Sequence, residues 1–299
     1  MRTLLRVDEL TRRSPHQGGG ISFELGPGQV MGLIGPHHSG KNQIISYLAG
    51  LARPPRGSVE IVGRPISAEA RGLLGYIPPH PGLFEEMTCR EYLDFFARSF
   101  LVPEHYRPYL VREALQRVEL IGQQNLKAHD LTPLERMRLS LARGVVHDPC
   151  VLIVNNIFAG LDVPQIRILV EDLLRIRQQG KALVISATSL RDLKDLVSHV
   201  CLLVTDKPLA CGEMAQILPR LGFLKMKQIQ FLGGFGQAVR HLEQHNSVYH
   251  LSLSTQTHNL VRFLFDSQHH SFDDLLEALK RVGCSIVGVT EDSSFLGVR

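Results

Sequence analysis

QVMGLIGPHHSGKNQIISYLAGLA, residues 29–52, decides the fold. Its first seven residues form an apolar run, the pattern of a strand buried on both faces. Its last nine, IISYLAGLA (44–52), repeat their apolar positions with a helical period. Between them Gly35, Pro36, His37, His38, Ser39, Gly40, Lys41, Asn42 and Gln43 make a loop that leaves a strand and opens a helix. Backbone N–H groups at a helix N-terminus attract anions, and the spacing G-x-x-x-x-G-K wraps them around phosphates. Gly35, Gly40 and Lys41 fit that spacing. The next residue should be Ser or Thr, whose hydroxyl binds Mg²⁺, but Asn42 stands there. Alone, the spacing is a weak signal.

The flanking chain continues the alternation. Residues 1–9 and 20–25 read as short strands, as do GSVEIVG (57–63) and GLLGYIP (72–78). A mostly helical stretch runs from Met87 to about Gly144. Within it EYLDFFARSF (91–100), VREALQRVELIG (111–122) and LERMRLSLARGVV (134–146) read as amphipathic helices, with Pro133 suited to a helix start. Tyr92, Phe95, Phe96 and Phe100 fall near one face, the pattern of a core rather than a ligand cage. CVLIVNN (150–156) is an apolar run ending in polar residues, the form of a central parallel strand whose tip faces a ligand. VPQIRILVEDLLRIRQQG (163–180) reads as a long helix stopped by Gly180. ALVISAT (182–188) reads as strand, RDLKDLVSHV (191–200) as helix and CLLVTD (201–206) as strand. Strands alternating with helices mean a mostly parallel sheet with α-crossovers. Composition shifts near Pro219, and the remainder reads as a small α+β domain.

Bulk properties exclude several classes. The chain has 299 residues, enough for one large domain and one small one. The net charge of +4 is too mild for the basic stripe of a nucleic-acid binder, and no nucleic acid is expected as a partner. The helix around Arg136, Arg138 and Arg143 reads as a solvated face. Cys89, Cys150, Cys201, Cys211 and Cys284 include no C-x-x-C pair, so reduced thiols are expected rather than zinc or disulfides. His269-His270 and the histidines from His241 to His250 lack metal-ligand spacing and read as scattered surface residues. No apolar window is long enough to span a membrane, and the N-terminus lacks a signal pattern.

Five blocks, taken in order, resemble the nucleotide-binding domains of ABC transporters: GLIGPHHSGKNQIISYLAGLARPPRGSVEIVGRPI, GYIPPHPGLFEEMTCREYLDFFAR, LTPLERMRLSLARGVVHDP, VLIVNNIFAGLD and LVISATSL. The similarity covers about residues 1–218 and is strongest to exporter-type systems, which often carry a small C-terminal domain. It implies an α/β fold: a P-loop NTPase-like, mostly parallel sheet with a helical subdomain at about 87–146, followed by a small C-terminal α+β domain at 219–299. It also implies a cytoplasmic protein held peripherally at the inner face of the membrane by an integral membrane permease subunit. Such domains pair as a homodimer, or as a heterodimer with a paralogous ATP-binding subunit.

The family's catalytic pattern is broken at nearly every point. No aromatic stands near Ser14 to stack on adenine, and His38 replaces a loop glycine. The Q-loop glutamine falls within Pro78-Pro79-His80. The signature LSGGQ reads Leu131-Thr132-Pro133-Leu134-Glu135. Asn155 and Asn156 replace the carboxylate that supports Mg²⁺ and the general base, and Thr188 replaces the switch histidine. Only the D-loop, Gly160-Leu161-Asp162, stays close to pattern. The expectation is therefore no catalytic residue and no metal ligand. Residues 35 and 37–43 would form a residual phosphate loop with weak affinity for ATP and no hold on Mg²⁺. The segment from Gly82 through Phe100, in relatives a contact for the membrane subunit, stays close to pattern, so a structural or regulatory subunit is expected.

Overall fold

A computed structural model describes residues 2–11, 20–36, 39–67, 69–191, 193–203, 208–221, 224–253, 259–268 and 270–292. Ser14, His37, His38 and His269 lie outside the described residues. The chain divides into two compact units, Met1–Thr188 with Asp192–Gly212, and Ser189–Arg191 with Glu213–Arg299.

The first unit holds two sheets. β1 (Leu5–Thr11), β2 (Ile21–Leu25), β3 (Val30–Ile34) and α1 (Lys41–Leu48) are followed by β4 (Arg56–Ile61), β5 (Arg64–Pro65) and β6 (Leu74–Ile77). Three helices come next, α2 (Cys89–Ser99), α3 (Arg107–Arg117) and α4 (Pro133–Val145). Then come β7 (Val151–Asn155), α5 (Val163–Gln178), β8 (Ala182–Ala187), β9 (His199–Leu203) and β10 (Pro208–Glu213). Four strands form an antiparallel sheet in the order β2-β1-β4-β5. Six form the order β10-β9-β3-β8-β7-β6, in which β9, β3, β8, β7 and β6 run parallel. All residues of β3, β7 and β8 are buried, as a strand covered on both faces demands. The C-terminal ends of β3 and β7 lie on either side of the end of β8, where a parallel α/β sheet offers its crevice.

Local chemistry fixes the helix starts. Thr88 and Thr132 each close a capping box, with Glu91 and Glu135, and Asp162 closes one with Gln165. Helix α3 starts at Arg107, four residues before the expected start at Val111, because Pro108 is accommodated in its first turn. The expected helix over 191–200 does not form. Leu196 and Val197 donate to the Leu193 carbonyl, but Ser198 exchanges hydrogen bonds with the Val30 backbone and pulls the chain into β9. One turn anchored that way cannot propagate.

The basic face of α4 is not solvated as expected. Arg143 is buried, with Nη1 donating to the Pro81 carbonyl (3.0 Å) and the Tyr92 hydroxyl (2.8 Å). Arg138 Nε donates to the buried Asp172 carboxylate at 2.8 Å, and Arg136 pairs with Glu85. Each guanidinium finds a carboxylate or hydroxyl from another element, which the helical period alone does not reveal.

His147 stacks on Phe100 with ring centroids 3.6 Å apart, and its Nε2 meets the Leu74 carbonyl at 3.0 Å. Burial pulls its pKa down to about 4. As pH falls from 6.5 toward 4 the unfolded chain takes this proton first, so stability is lost across that window. Urea midpoints measured at pH 7 and pH 4.5 should differ less in His147→Phe, which keeps the stack and removes the titration.

The second unit contains α6 (Met214–Leu221), β11 (Leu224–Gly233), α7 (Phe235–Gln244), β12 (Val248–Leu253), β13 (Leu260–Asp266), α8 (Phe272–Arg281) and β14 (Ser285–Asp292). From β11 onward the order is βαββαβ, and the antiparallel sheet runs β12-β13-β11-β14, a ferredoxin-like arrangement. Ile229, Phe231, Val261, Phe263 and Phe265 pack against Ala238 and Leu242 of α7 and Leu275 and Leu279 of α8. Three histidines expected to be scattered are neighbours. The His245 ring lies 6.4 Å from that of His241 and 5.4 Å from that of His270. Helix α7 ends at Gln244 and brings the first two together at its last turn. Among the described residues no group of three His, Cys, Asp or Glu is arranged to hold a metal ion.

Candidate nucleotide site

The loop after β3 closes tightly. Gly35 N–H donates to the Ala187 carbonyl at 3.3 Å, and a Cβ on Gly35 would overlap the Leu203 carbonyl oxygen, so only glycine fits. Gly40 takes a left-handed conformation (φ 84°) and begins α1. Ser39, Gly40, Lys41, Asn42 and Gln43 then line a cavity of about 360 Å³ together with Asn156 and Thr188. Residues far apart in sequence thus meet because β3, β7 and β8 are adjacent.

Lys41 is only 8% exposed. Its ammonium donates to the Gly35 carbonyl, to the Pro36 carbonyl at 2.7 Å and to Ser39 Oγ at 3.3 Å. Burial lowers its pKa to about 8. Because the folded value lies below 10.5, the unfolded chain keeps the proton longer, and stability rises as pH rises from 8 to 10.5. An NMR titration of lysine side chains should show the Lys41 resonance moving near pH 8. Its midpoint should rise on adding pyrophosphate if an anion restores the charge.

The strand tip is closed by neutral groups. Asn155 and Ser186 are register partners on β7 and β8, and Ser186 Oγ donates to Asn155 Oδ1 at 2.8 Å. Asn156 N–H donates to Ser186 Oγ at 2.9 Å, and Asn156 adopts φ 50°, which asparagine tolerates. Asn155 is buried and its oxygen is spent within the protein. Asn42 and Gln43 are exposed, and Gln43 Nε2 donates to the Tyr47 hydroxyl at 2.8 Å. The residues lining this cavity include no carboxylate, and its hydroxyls are those of Ser39 and Thr188. Mg²⁺, a hard cation commonly held through one or two carboxylates together with phosphate and water, would find no carboxylate among them.

The N-terminus of α4 is occupied by its own carboxylate. Glu135 Oε2 accepts from Thr132 N–H at 2.9 Å and from Thr132 Oγ1 at 2.7 Å, while Thr132 Oγ1 accepts from Glu135 N–H. Pro133 removes a further donor. The N-terminus of α4, which would otherwise favour an anion, already carries one. Asp162 is engaged likewise: its Oδ1 accepts from Gln165 N–H at 2.8 Å and caps α5. Pro78 and Pro79 are half-buried and His80 is exposed beside the Pro81 carbonyl that Arg143 holds. Nothing in the sequence period marks Arg143 as the residue that anchors this loop.

The chain is similar in sequence to ATP-binding proteins of ABC transporters and in fold to solved ones. The family described as ABC transporter matches residues 19–159. "Nod factor export ATP-binding protein I" of Burkholderia pseudomallei (strain 1710b) is 32% identical over 203 residues, which cover 67% of this chain and 66% of that protein. The match thus spans just under two thirds of that relative's length. An uncharacterized ABC transporter ATP-binding protein, YhaQ of Bacillus subtilis (strain 168), is 25% identical over 73% of this chain and 74% of its own. Among solved structures, cbiO1 from Clostridium perfringens, part of the ABC transporter complex cbiONQ, superposes with a TM-score of 0.67 at 21% identity. It covers 73% of this chain and 92% of its own, and shows the shared fold. The chain carries an ABC transporter ATP-binding domain.

Proposed function

We infer that this chain is an ABC transporter subunit that no longer hydrolyses ATP and acts as a structural or regulatory partner of an integral membrane permease subunit. The observation that carries this is the strand tip, where Ser186 ties up Asn155 and the general-base position holds the neutral Asn156. An amide cannot take a proton from water, and a general base is worth roughly 10²–10⁴ in rate. The Glu135 carboxylate on α4 supports the same reading for the site the partner subunit would complete, since it repels the phosphate that helix would meet. Gly35, Pro36 and Ser39–Gln43 are left as a weak, metal-independent phosphate loop, with Lys41 as the one cation among these described residues.

Attachment to a membrane partner is supported by a groove of about 490 Å³ in the ATP-binding unit. Leu51, Tyr76, Pro78, Phe96, Phe100 and His147 line it, and Leu51 is 63% exposed. Among the described residues no helix is long and apolar enough to cross a membrane. The groove is the contact by which a membrane partner would hold the chain peripherally at the inner face. Pairing with a second ATP-binding subunit, identical or paralogous, completes the assembly.

The competing reading is an active ATPase that energises export. Lys41 favours it, as does the identity to a protein named for Nod factor export. Affinity capture of the chain from its native membranes, followed by ATPase measurement on the complex, separates the readings. Recovery of a polytopic membrane protein with phosphate release unchanged by Lys41→Ala is expected. Turnover abolished by Lys41→Ala would establish the ATPase. Failure to recover any membrane protein would favour a soluble regulator built on the same fold.

A further inference from the structure

We propose that Cys201 and Cys211 form a redox-sensitive dithiol, which a hydroperoxide converts into an intrachain disulfide joining β9 to β10. The site is separate from the nucleotide cavity, whose lining contains no cysteine. β10 is the edge strand of the six-stranded sheet, and β9 is its neighbour. Cys201 lies on β9 and is fully buried, while Cys211 lies on β10 and is half-buried. Cys201 belongs to the apolar core cluster against which Cys211 packs, which puts both side chains on one side of the sheet. The Cys201 thiol donates a hydrogen bond to Cys211 Sγ. Facing positions on adjacent strands have Cα atoms roughly 4.5–5.5 Å apart, within the span of about 4.4–6.8 Å that a disulfide bridges. The two cysteines lack a C-x-x-C spacing because the adjacency of the strands, not of the sequence, brings them together.

The other cysteines are placed differently. Cys150 Sγ donates to the Leu73 carbonyl at 3.5 Å and Cys284 Sγ to the Gly234 carbonyl at 3.4 Å. Burial pushes the Cys89, Cys150 and Cys284 thiols up, away from the reactive thiolate. Cys211 moves the other way: the hydrogen bond from Cys201 holds it below the ordinary thiol range against its own burial. The same bond, with burial, pushes Cys201 up. Cys211 is therefore the attacking thiolate and Cys201 the resolving thiol. Cys211 Sγ attacks one peroxide oxygen and the O–O bond breaks. The departing oxygen takes up the proton that Cys211 gave to solvent, and Cys211 is left as a sulfenic acid. Cys201 Sγ then attacks Cys211 Sγ, the S–O bond breaks, and the hydroxyl leaves as water with the Cys201 proton. Two electrons pass from the thiol pair to the peroxide.

Peroxide treatment of the full-length protein tests the pair. The protein is exposed to a small excess of hydrogen peroxide and blocked with N-ethylmaleimide. It is then cleaved before Asp206, which separates the two cysteines, and analysed by mass spectrometry. A linked pair of peptides carrying Cys201 and Cys211 is expected, and dithiothreitol should abolish it. Thiols counted after unfolding should fall from five to three. Cys211→Ser should slow the loss of thiols by about tenfold or more. Cys201→Ser keeps a donor to Cys211 but removes the resolving sulfur, so dimedone should trap a sulfenic acid at Cys211 and no disulfide should form. The peptide mapping is done on the wild-type chain and depends on no variant folding. Absence of the Cys201–Cys211 link after treatment would overturn the proposal. So would a link from Cys211 to another cysteine in its place, or thiol loss no faster in wild type than in Cys211→Ser.

Discussion

Steady-state phosphate release with saturating Mg–ATP is expected to match a protein-free control, and Lys41→Ala is expected to leave it there. On the function proposed above, three separate departures lead to this result. Asn156 cannot act as a base, a loss of roughly 10²–10⁴ in rate. Asn42 and Asn155 supply neither the hydroxyl nor the carboxylate that holds Mg²⁺ against the phosphates. Glu135 and Pro133 remove the anion receptor of the signature helix. Because the defects act at different points, repairing one does not restore turnover. Asn156→Glu alone should remain at background. Asn155→Asp, Asn156→Glu together should also remain inactive and be less stable than wild type. An aspartate at position 155 would sit buried with only Ser186 as partner, and desolvating an unpaired carboxylate costs several kcal/mol. Malachite-green phosphate detection and urea unfolding read the two effects. Turnover recovered by Asn156→Glu alone would mean that Mg²⁺ is held by some other group.

The second large effect is on stability. Asp172 is fully buried in α5 and receives Arg138 Nε at 2.8 Å and Arg175 Nη1 at 2.8 Å. Glu119 completes the network by accepting from both arginines. Burial pushes the Asp172 carboxyl pKa up, and the arginines pull it back. Asp172→Ala leaves Arg138, 11% exposed, without its buried partner. Removing one member of a buried pair costs about 3–5 kcal/mol. The unfolding transition of the ATP-binding unit, followed in urea by circular dichroism, should shift by that amount. Asp172→Asn, which keeps one acceptor, should lose less, and Glu119→Gln, on the exposed side, less than about 1 kcal/mol. Equal losses for Asp172→Ala and Glu119→Gln would contradict this ranking.

The elements that were legible in the sequence are those whose signals are local. CVLIVNN announced β7 because a strand covered on both faces must be apolar throughout. Pro133 and Gly180 marked the ends of α4 and α5 because proline suits a first turn and Gly180 adopts φ 79°. The expectation at 191–200 failed because Ser198 is held by Val30, 168 residues away, and periodicity carries no trace of such a tie. The same limit hid the arginines of α4. Asp172 lies 34 residues beyond Arg138, and Pro81 lies 62 residues before Arg143. At the candidate site the residue types were readable from spacing, but their hydrogen bonds were not. That Ser186 holds Asn155, and that Glu135 caps the helix the signature opens, are facts of the folded chain. Thr132-Pro133-Leu134-Glu135 does contain the S/T-x-x-E pattern of a capping box, a signal available from the sequence that the reading above does not use.

Isothermal titration of the purified chain with ATP, once with excess Mg²⁺ and once with EDTA, most directly tests the proposal that the chain holds no metal. Weak affinity, equal within twofold in the two titrations, is predicted. Tenfold or tighter binding with Mg²⁺, lost when Asn42→Ala is introduced, would contradict it.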